Sequence, residues 1–300
     1  MVYKKGKLAD ILPKIKQRTV GAIFDAVCAA INILPEKLYA ATGRLLGYAV
    51  YFAGVRREVA RDNLEKALDH LPPGEIDDIL KKCYLHLGQI AVEFLLLKDG
   101  QRNLPEHFEI QGEDHLEAAR EKSRSGGVII YTAHFGNWEW LGCLISELGY
   151  SVTAIARTQK QAAINKRIND IRRSYGVSLA DRKKGIKDSI RALKKGDVLI
   201  IIGDQHASKG LPLEFFGRKA SVHRGAVKLA ANYGVPLVPV FSIRTGFASY
   251  RLNIEEPLEV SEDLDEEMEK RWLRKLLKIT ESQIAANPEQ WLWLHRRWKV

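Results

Sequence analysis

Apolar positions recur at two different periods along this 300-residue chain. Over the first hundred residues the period is helical. Val20, Ile23, Phe24, Val27, Ile31 and Leu34 fall on one face, with Asp25 and Asn32 off it. Pro35 interrupts the pattern. Leu38, Thr42, Leu45, Leu46, Ala49, Phe52 and Ala53 then make a second apolar stripe, closed by Arg56 and Arg57. Residues 57–71 predict an amphipathic helix stopped by Pro72-Pro73-Gly74. Ile76, Ile79, Leu80, Cys83, Leu87, Ile90 and Phe94 mark another over 75–97, ended at Asp99-Gly100.

From about residue 107 the texture changes. Short apolar runs predict strands at 108–110, 128–132, 151–156, 197–202, 237–243 and 250–254. Between and around them, helical spacing covers 115–122, 137–148, 162–175, 187–195, 222–233 and 262–286. The alternation predicts an α/β fold: a central, mostly parallel sheet flanked by helices over 107–300, behind an N-terminal helical region over 1–106. Open sheets of this kind bind ligands at the carboxyl ends of their strands. His134, Arg157, Asp204 and Arg244 lie at such ends.

Charge and composition narrow the partners. A formal charge of +10 favours polyanions. Basic residues flank both N-terminal stripes, which fits helices lying on an anionic membrane surface; packing against the domain core is the alternative. Asp25 interrupts the apolar run from Val20 to Leu34 and no small-residue cleavage site follows it, against a signal peptide. The segment is also short and polar for a span. Cys28, Cys83 and Cys143 are far apart and odd in number, predicting neither a disulfide framework nor a zinc site, and suiting a reducing compartment. No metal or cofactor motif is legible: the sequence carries no H-E-x-x-H, P-loop, dinucleotide fingerprint or G-x-S-x-G elbow. Nothing beside the basic residues suggests a nucleic-acid fold or base stacking.

The chemistry concentrates in four segments. His134-Phe-Gly-Asn-Trp-Glu139 follows the strand at 128–132 and opens a helix. A histidine there suits a base, and Glu139 in the first helical turn suits a carboxylate that holds the imidazole or balances its charge. Gly136 permits a sharp turn, and Asn137 is placed to cap the helix. Arg157 ends the next strand and suits an oxyanion or phosphate. Gly203-Asp204-Gln205 ends a third, from which Asp204 would order the site through Arg157 or the loop backbone. Phe215-Phe216-Gly217-Arg218 reads either as an acyl-pocket turn or as plain core. Three of the six tryptophans fall in residues 288–299, beside arginine and lysine, which suits a bilayer interface or a C-terminal lock on the core.

Taken in order, these segments resemble the lysophospholipid acyltransferase superfamily, most closely its lipid A late-acyltransferase branch. The resemblance is carried by His134-Phe-Gly-Asn-Trp-Glu139, Ala156-Arg157, Gly203-Asp204-Gln205, Phe215-Phe216-Gly217, Val235-Pro236-Leu-Val-Pro239 and the tail from Pro288 to Lys299, with Arg56-Arg57 and Asn63-Leu64 upstream. It implies a membrane-associated enzyme at the cytoplasmic face of the bacterial inner membrane, peripheral or monotopic. The activity implied is transfer of a fatty acyl chain from acyl carrier protein, or from acyl-CoA, to a hydroxyl of a lipid A precursor, a phosphorylated glycolipid. His134, Glu139, Arg157 and Asp204 would be catalytic; Gly136, Asn137, Gln205, Phe216, Gly217 and Arg218 would bind substrate. The competing expectations are another acceptor such as a phosphatidylinositol mannoside or an aminolipid, a hydrolase using the same residues on water, and a non-catalytic lipid-binding protein.

Overall fold

The computed structural model describes residues 5–97, 100, 102–156, 161–181 and 185–299, with side chains from residue 19 onward except those of 156 and 181. Its centre is one seven-stranded sheet. The strands are β1 (Phe108–Gln111), β2 (Val128–Thr132), β3 (Val152–Ala156), β4 (Ser178–Asp181), β5 (Val198–Ile202), β8 (Leu237–Gly246) and β9 (Ser249–Ile254). Their spatial order is β1-β9-β8-β2-β5-β3-β4. All neighbours run parallel except β8 and β9, which are joined as an antiparallel pair. The expected mostly parallel sheet is therefore present, with one reversed edge.

β2 sits in the middle and all five of its residues are buried. That explains its unbroken apolar run, since a central parallel strand is covered on both faces. Helices α5 (Glu113–Lys122), α6 (Trp138–Glu147), α7 (Ala162–Ser174), α8 (Gly185–Lys194), α9 (Gly225–Tyr233) and α10 (Glu266–Ala286) surround the sheet.

Two features depart from the sequence pattern. β4 is a short edge strand whose sequence, Ser-Leu-Ala-Asp, carries no strand signal. β6 (Leu211–Phe215) and β7 (Arg218–Val222) form a separate antiparallel hairpin where only a motif was legible. Its two-residue turn puts both Phe216 (φ 51°) and Gly217 (φ 68°) in the left-handed region, the geometry that suits the twist of a tight hairpin. The helix expected from Val222 starts at Gly225, because Val222 pairs with Leu211 in that hairpin.

The N-terminal helices divide into two groups. α3 (Arg57–Ala67) and α4 (Pro73–Leu95) share one hydrophobic core with β2, β8 and α10 through Leu64, Leu80, Tyr84 and their neighbours. α1 (Lys5–Ile33) and α2 (Tyr39–Phe52) supply none of its buried residues, and α2 touches it only through the partly buried Val50 and Tyr51. α2 meets α4 through glycines, and a Cβ on Gly47 would lie 2.4 Å from the Tyr84 carbonyl oxygen. One on Gly88 would lie 2.2 Å from that of Gly43. Backbones this close leave no room for leucines, so Leu45, Leu46 and Phe52 of α2 turn outward. Leu45 is 70% and Phe52 73% exposed. In α1, Cys28 and Ile31 are buried while Ile23 and Val27 are exposed. Among the described residues, eight of the nine exposed large apolar side chains lie between Ile23 and Val55. Among the described residues no single helix is long and apolar enough to cross a membrane; Thr19–Ile33 and Glu36–Phe52, bent by 115°, pass that test only together.

Candidate active site

The register of two strands builds the site. Thr132, at the end of β2, pairs with Ile202, at the end of β5. The Gly203 N–H donates to the Thr132 carbonyl at 3.0 Å and extends the parallel pairing. His134 and Asp204 each lie two residues beyond, so they emerge side by side. The His134 Nδ1–H donates to Asp204 Oδ1 at 2.8 Å. Asp204 Oδ2 accepts the His134 backbone N–H at 3.0 Å and the Trp291 indole N–H at 2.8 Å. Asp204 is buried, whereas the His134 side chain keeps 20% exposure. Nδ1 is thus committed to the carboxylate, and Nε2 is left as the acceptor, with the Gln205 amide nitrogen 3.4 Å away. Trp138 packs its ring edge-on against the imidazole, centroids 5.3 Å apart.

Electrostatics match this geometry. Burial pulls the His134 imidazole down, but the charge and hydrogen bond of Asp204, with help from Glu139, outweigh it and hold it above the ordinary histidine value. Burial pushes Asp204 up, and the His134 imidazole and the two N–H donors overcome this and bring it to about 2. Nearby, burial together with the charges of His134, Arg297 and Arg56 outweighs the opposing pull of Asp204 and lowers His295 to about 4. His295 is therefore neutral at pH 7, and its Nε2 accepts the His206 N–H at 3.1 Å.

The direct carboxylate partner of the imidazole is Asp204. Glu139, expected to hold the ring, is gripped instead by Arg172 of α7, which donates to its two oxygens at 2.9 and 2.7 Å. Glu139 reaches His134 only through its field. Asp204 acts on the loop backbone, as its strand-end position suggested. Arg157 lies outside the described residues.

Gly136 has φ 54°, and a Cβ there would come 1.4 Å from the Ser242 carbonyl oxygen, so β8 itself demands glycine. Asn137 is fully buried and acts as the α6 cap: its Oδ1 accepts the Trp140 N–H at 3.0 Å. Its Nδ2 donates to Glu93 and Tyr250, so the side chain is committed to the fold rather than aimed at a ligand. Phe216, Gly217 and Arg218 form the hairpin turn. The Phe216 N–H donates to Glu281 of α10, and Arg218 binds the Lys66 carbonyl and Asp69. These bonds tie the turn to α10, α3 and the residues just after α3, and bring none of the three to His134. Of this segment, Phe215 is the residue that packs on Trp291 and Trp298.

Sequence reasoning did not assign Trp291, Arg172 and Glu93 to the site. The tail motif was the available signal for Trp291. The tail is the core lock of the two alternatives at Trp291 and Trp293, both buried. It runs antiparallel to the His134 loop: Leu292 N–H donates to the His134 carbonyl and Gly136 N–H to that of Gln290, each at 3.0 Å. Among the described residues no cluster of side chains could hold a metal ion.

Comparison with known proteins shows the family. The family model described as bacterial lipid A biosynthesis acyltransferase matches residues 14–300. A lipid A biosynthesis acyltransferase of Haemophilus influenzae is 21% identical over 265 residues, covering 84% of this chain and 79% of that protein. The lipid A biosynthesis lauroyltransferase of Escherichia coli is 27% identical over 258 residues, covering 84% and 82%. A phosphatidylinositol mannoside acyltransferase of Mycolicibacterium smegmatis is 23% identical over 217 residues, covering 68% and 71%.

Proposed function

The chain belongs to the bacterial lipid A biosynthesis acyltransferase family, and on that premise we propose that it moves a fatty acyl chain from an acyl thioester to a hydroxyl of a lipid A precursor without a covalent acyl-enzyme. The observation that carries the mechanism is the His134–Asp204 pair, with Nδ1 bound to the carboxylate and Nε2 free and partly exposed.

Nε2 takes the proton of the acceptor hydroxyl as its oxygen attacks the thioester carbonyl. Asp204 fixes the tautomer and stabilises the imidazolium that forms; Glu139, held by Arg172, adds a second negative charge nearby. The tetrahedral oxyanion meets the first-turn amides of α6. Asn137 caps only the Trp140 N–H, leaving those of Trp138 and Glu139 without an intrahelical acceptor. Arg157, just beyond β3, is assigned to the oxyanion or to a phosphate of the acceptor. When the C–S bond breaks, the imidazolium returns its proton to the sulfur, and the donor leaves as a thiol.

Acyl carrier protein is the proposed donor, since an acidic carrier complements the +10 charge of the chain. Acyl-CoA is the alternative. The mycobacterial relative supports a second acceptor, a phosphatidylinositol mannoside. The outward isoleucines and valine of α1 and the outward leucines and phenylalanine of α2 support monotopic attachment, with the bent pair lying in the cytoplasmic leaflet of the inner membrane.

The test is His134→Ala, assayed for acylated acceptor and for free fatty acid separately. Loss of acyl transfer in a chain that still folds cooperatively is expected. Transfer retained in the folded variant would overturn the base assignment, and free fatty acid as the sole product of the unaltered enzyme would make it a hydrolase.

A further inference from the structure

Arg244, singled out by its position near a strand end, has no part in the chemistry above. It lies in β8, which runs past the end of β2 and alongside the His134 loop. Its side chain is nearly buried and forks onto Glu93 of α4, itself wholly buried, with one nitrogen 2.8 Å from Oε2 and the other on Oε1. Glu93 is further held by the Ala248 N–H, by Asn137 Nδ2 and by the Tyr250 hydroxyl. A buried carboxylate with this many donors is fixed in place.

The third guanidinium donor of Arg244 points elsewhere. Its Nε–H donates to His86 Nδ1 at 3.0 Å. Arginine has no acceptor, so Nδ1 must offer a lone pair and the His86 proton must sit on Nε2. Nε2 is 3.2 Å from the Gly136 carbonyl oxygen and donates to it. Burial and the adjacent Arg244 charge hold His86 far below the ordinary histidine value, so it stays neutral in this tautomer. Arg244 also grips the other side of Gly136. Its backbone N–H and carbonyl pair with the Gln290 side chain at 2.8 and 3.1 Å, and the Gln290 carbonyl accepts the Gly136 N–H. The carbonyl of this glycine, two residues from the proposed base, is therefore set through the side chain of one buried arginine, and its N–H pairs with the residue whose side chain bonds the Arg244 backbone.

We propose that Arg244 and His86 are positioning residues for acyl transfer: they lock the Gly136 carbonyl toward the interior. A trans peptide sends the next N–H the opposite way, so the Asn137 amide, with those that open α6, is turned to the other side of the peptide from His86. Released, the Gly136 carbonyl would be free to rotate its negative end toward the oxyanion. This rests on the oxyanion assignment above, but the tautomer lock is measurable without turnover.

Imidazole 15N NMR of the full chain should report His86 as the neutral Nε2–H form throughout the active pH range. His86→Leu, which removes the donor at similar bulk, should lower kcat about 100-fold, on the scale of a lost oxyanion donor. KM should hold, and the acid limb of the pH profile should not move, because His134 and Asp204 are untouched. His86→Gln, whose amide nitrogen reaches the Nε2 position, should recover most of the rate. A merely structural role would lower stability without that rescue or that split. Arg244→Lys keeps a charge for Glu93 but cannot also reach His86; it should mix the tautomers and lower kcat, and it serves if His86→Leu does not fold. An Nδ1–H or cationic His86, or a folded His86→Leu or Arg244→Lys with kcat within twofold of the unaltered enzyme, would overturn the proposal. An active His134→Ala alongside a locked His86 would instead fault the base assignment.

Discussion

Replacing Asp204 with asparagine probes the site most sharply, because the amide cannot satisfy all three donors that the carboxylate accepts. Oδ2 takes two N–H groups, from the His134 backbone and the Trp291 indole, and Oδ1 takes the imidazole. An amide offers one oxygen and one NH2. With the oxygen toward the imidazole, the NH2 would face two buried donors, costing roughly 1–3 kcal/mol each. The favoured orientation turns the oxygen to those two donors and the NH2 to His134 Nδ1. Nδ1 then accepts, the proton moves to Nε2, and the ring no longer offers a lone pair to the acceptor hydroxyl. A preference of about 2 kcal/mol leaves the competent tautomer at a few per cent. Losing the carboxylate beside the imidazolium removes a charge-assisted hydrogen bond, about another 2 kcal/mol. Together these predict a fall in kcat of about 10³-fold.

The pH profile carries a sign as well. Asp204 holds His134 above its ordinary value, so the unaltered enzyme loses rate as pH falls through that raised value. Without Asp204, burial dominates and the residual acid limb moves to lower pH. The assay is kcat against pH, with His134→Ala as the floor and thermal melting to check the fold. A folded Asp204→Asn within tenfold of the unaltered enzyme, or an acid limb displaced upward, would refute the argument. The same carboxylate bears on stability. Held at about 2 against 3.8, it contributes on the order of 2 kcal/mol, present above about pH 4 and lost as pH falls toward 2.

Two further substitutions test the frame around the pair. Gly136→Ala places a Cβ against the Ser242 carbonyl in a left-handed backbone; a loss of about 3 kcal/mol is expected, and a melting temperature within 2 °C of the unaltered chain, roughly 1 kcal/mol at this length, would contradict it. Leu45→Glu with Phe52→Glu removes two outward apolar side chains worth about 1.5–3 kcal/mol each on burial in lipid; co-flotation with anionic vesicles should fall at least 100-fold while the melting temperature holds, and undiminished flotation would exclude the α2 face as the attachment.

Much of the α/β region was legible because its signals are local. Apolar runs gave β2, β5 and β8, and helical spacing gave α6, α7 and α10. The β6–β7 hairpin was hidden because its strands mix Pro212, Lys219 and Arg218 with apolar residues, and its turn uses a phenylalanine in a left-handed conformation. The orientation of α2 was hidden for another reason. Periodicity identifies an apolar face but not its neighbour, and here the glycine face won the contact with α4.

The candidate residues of the site were likewise determined by sequence: His134, Glu139 and Asp204 stand at strand and helix ends, and local pattern locates such ends. Partnership was decided only by tertiary structure. Glu139 is five residues from His134 and Asp204 seventy, yet the distant carboxylate makes the bond. The cause is the β2–β5 register, which pairs Thr132 with Ile202 and carries both side chains off adjacent parallel strands in the same direction. Glu139, in the first turn of α6, meets Arg172 instead. Spacing along a chain describes one element at a time, and a hydrogen bond between strand ends depends on how two of them align.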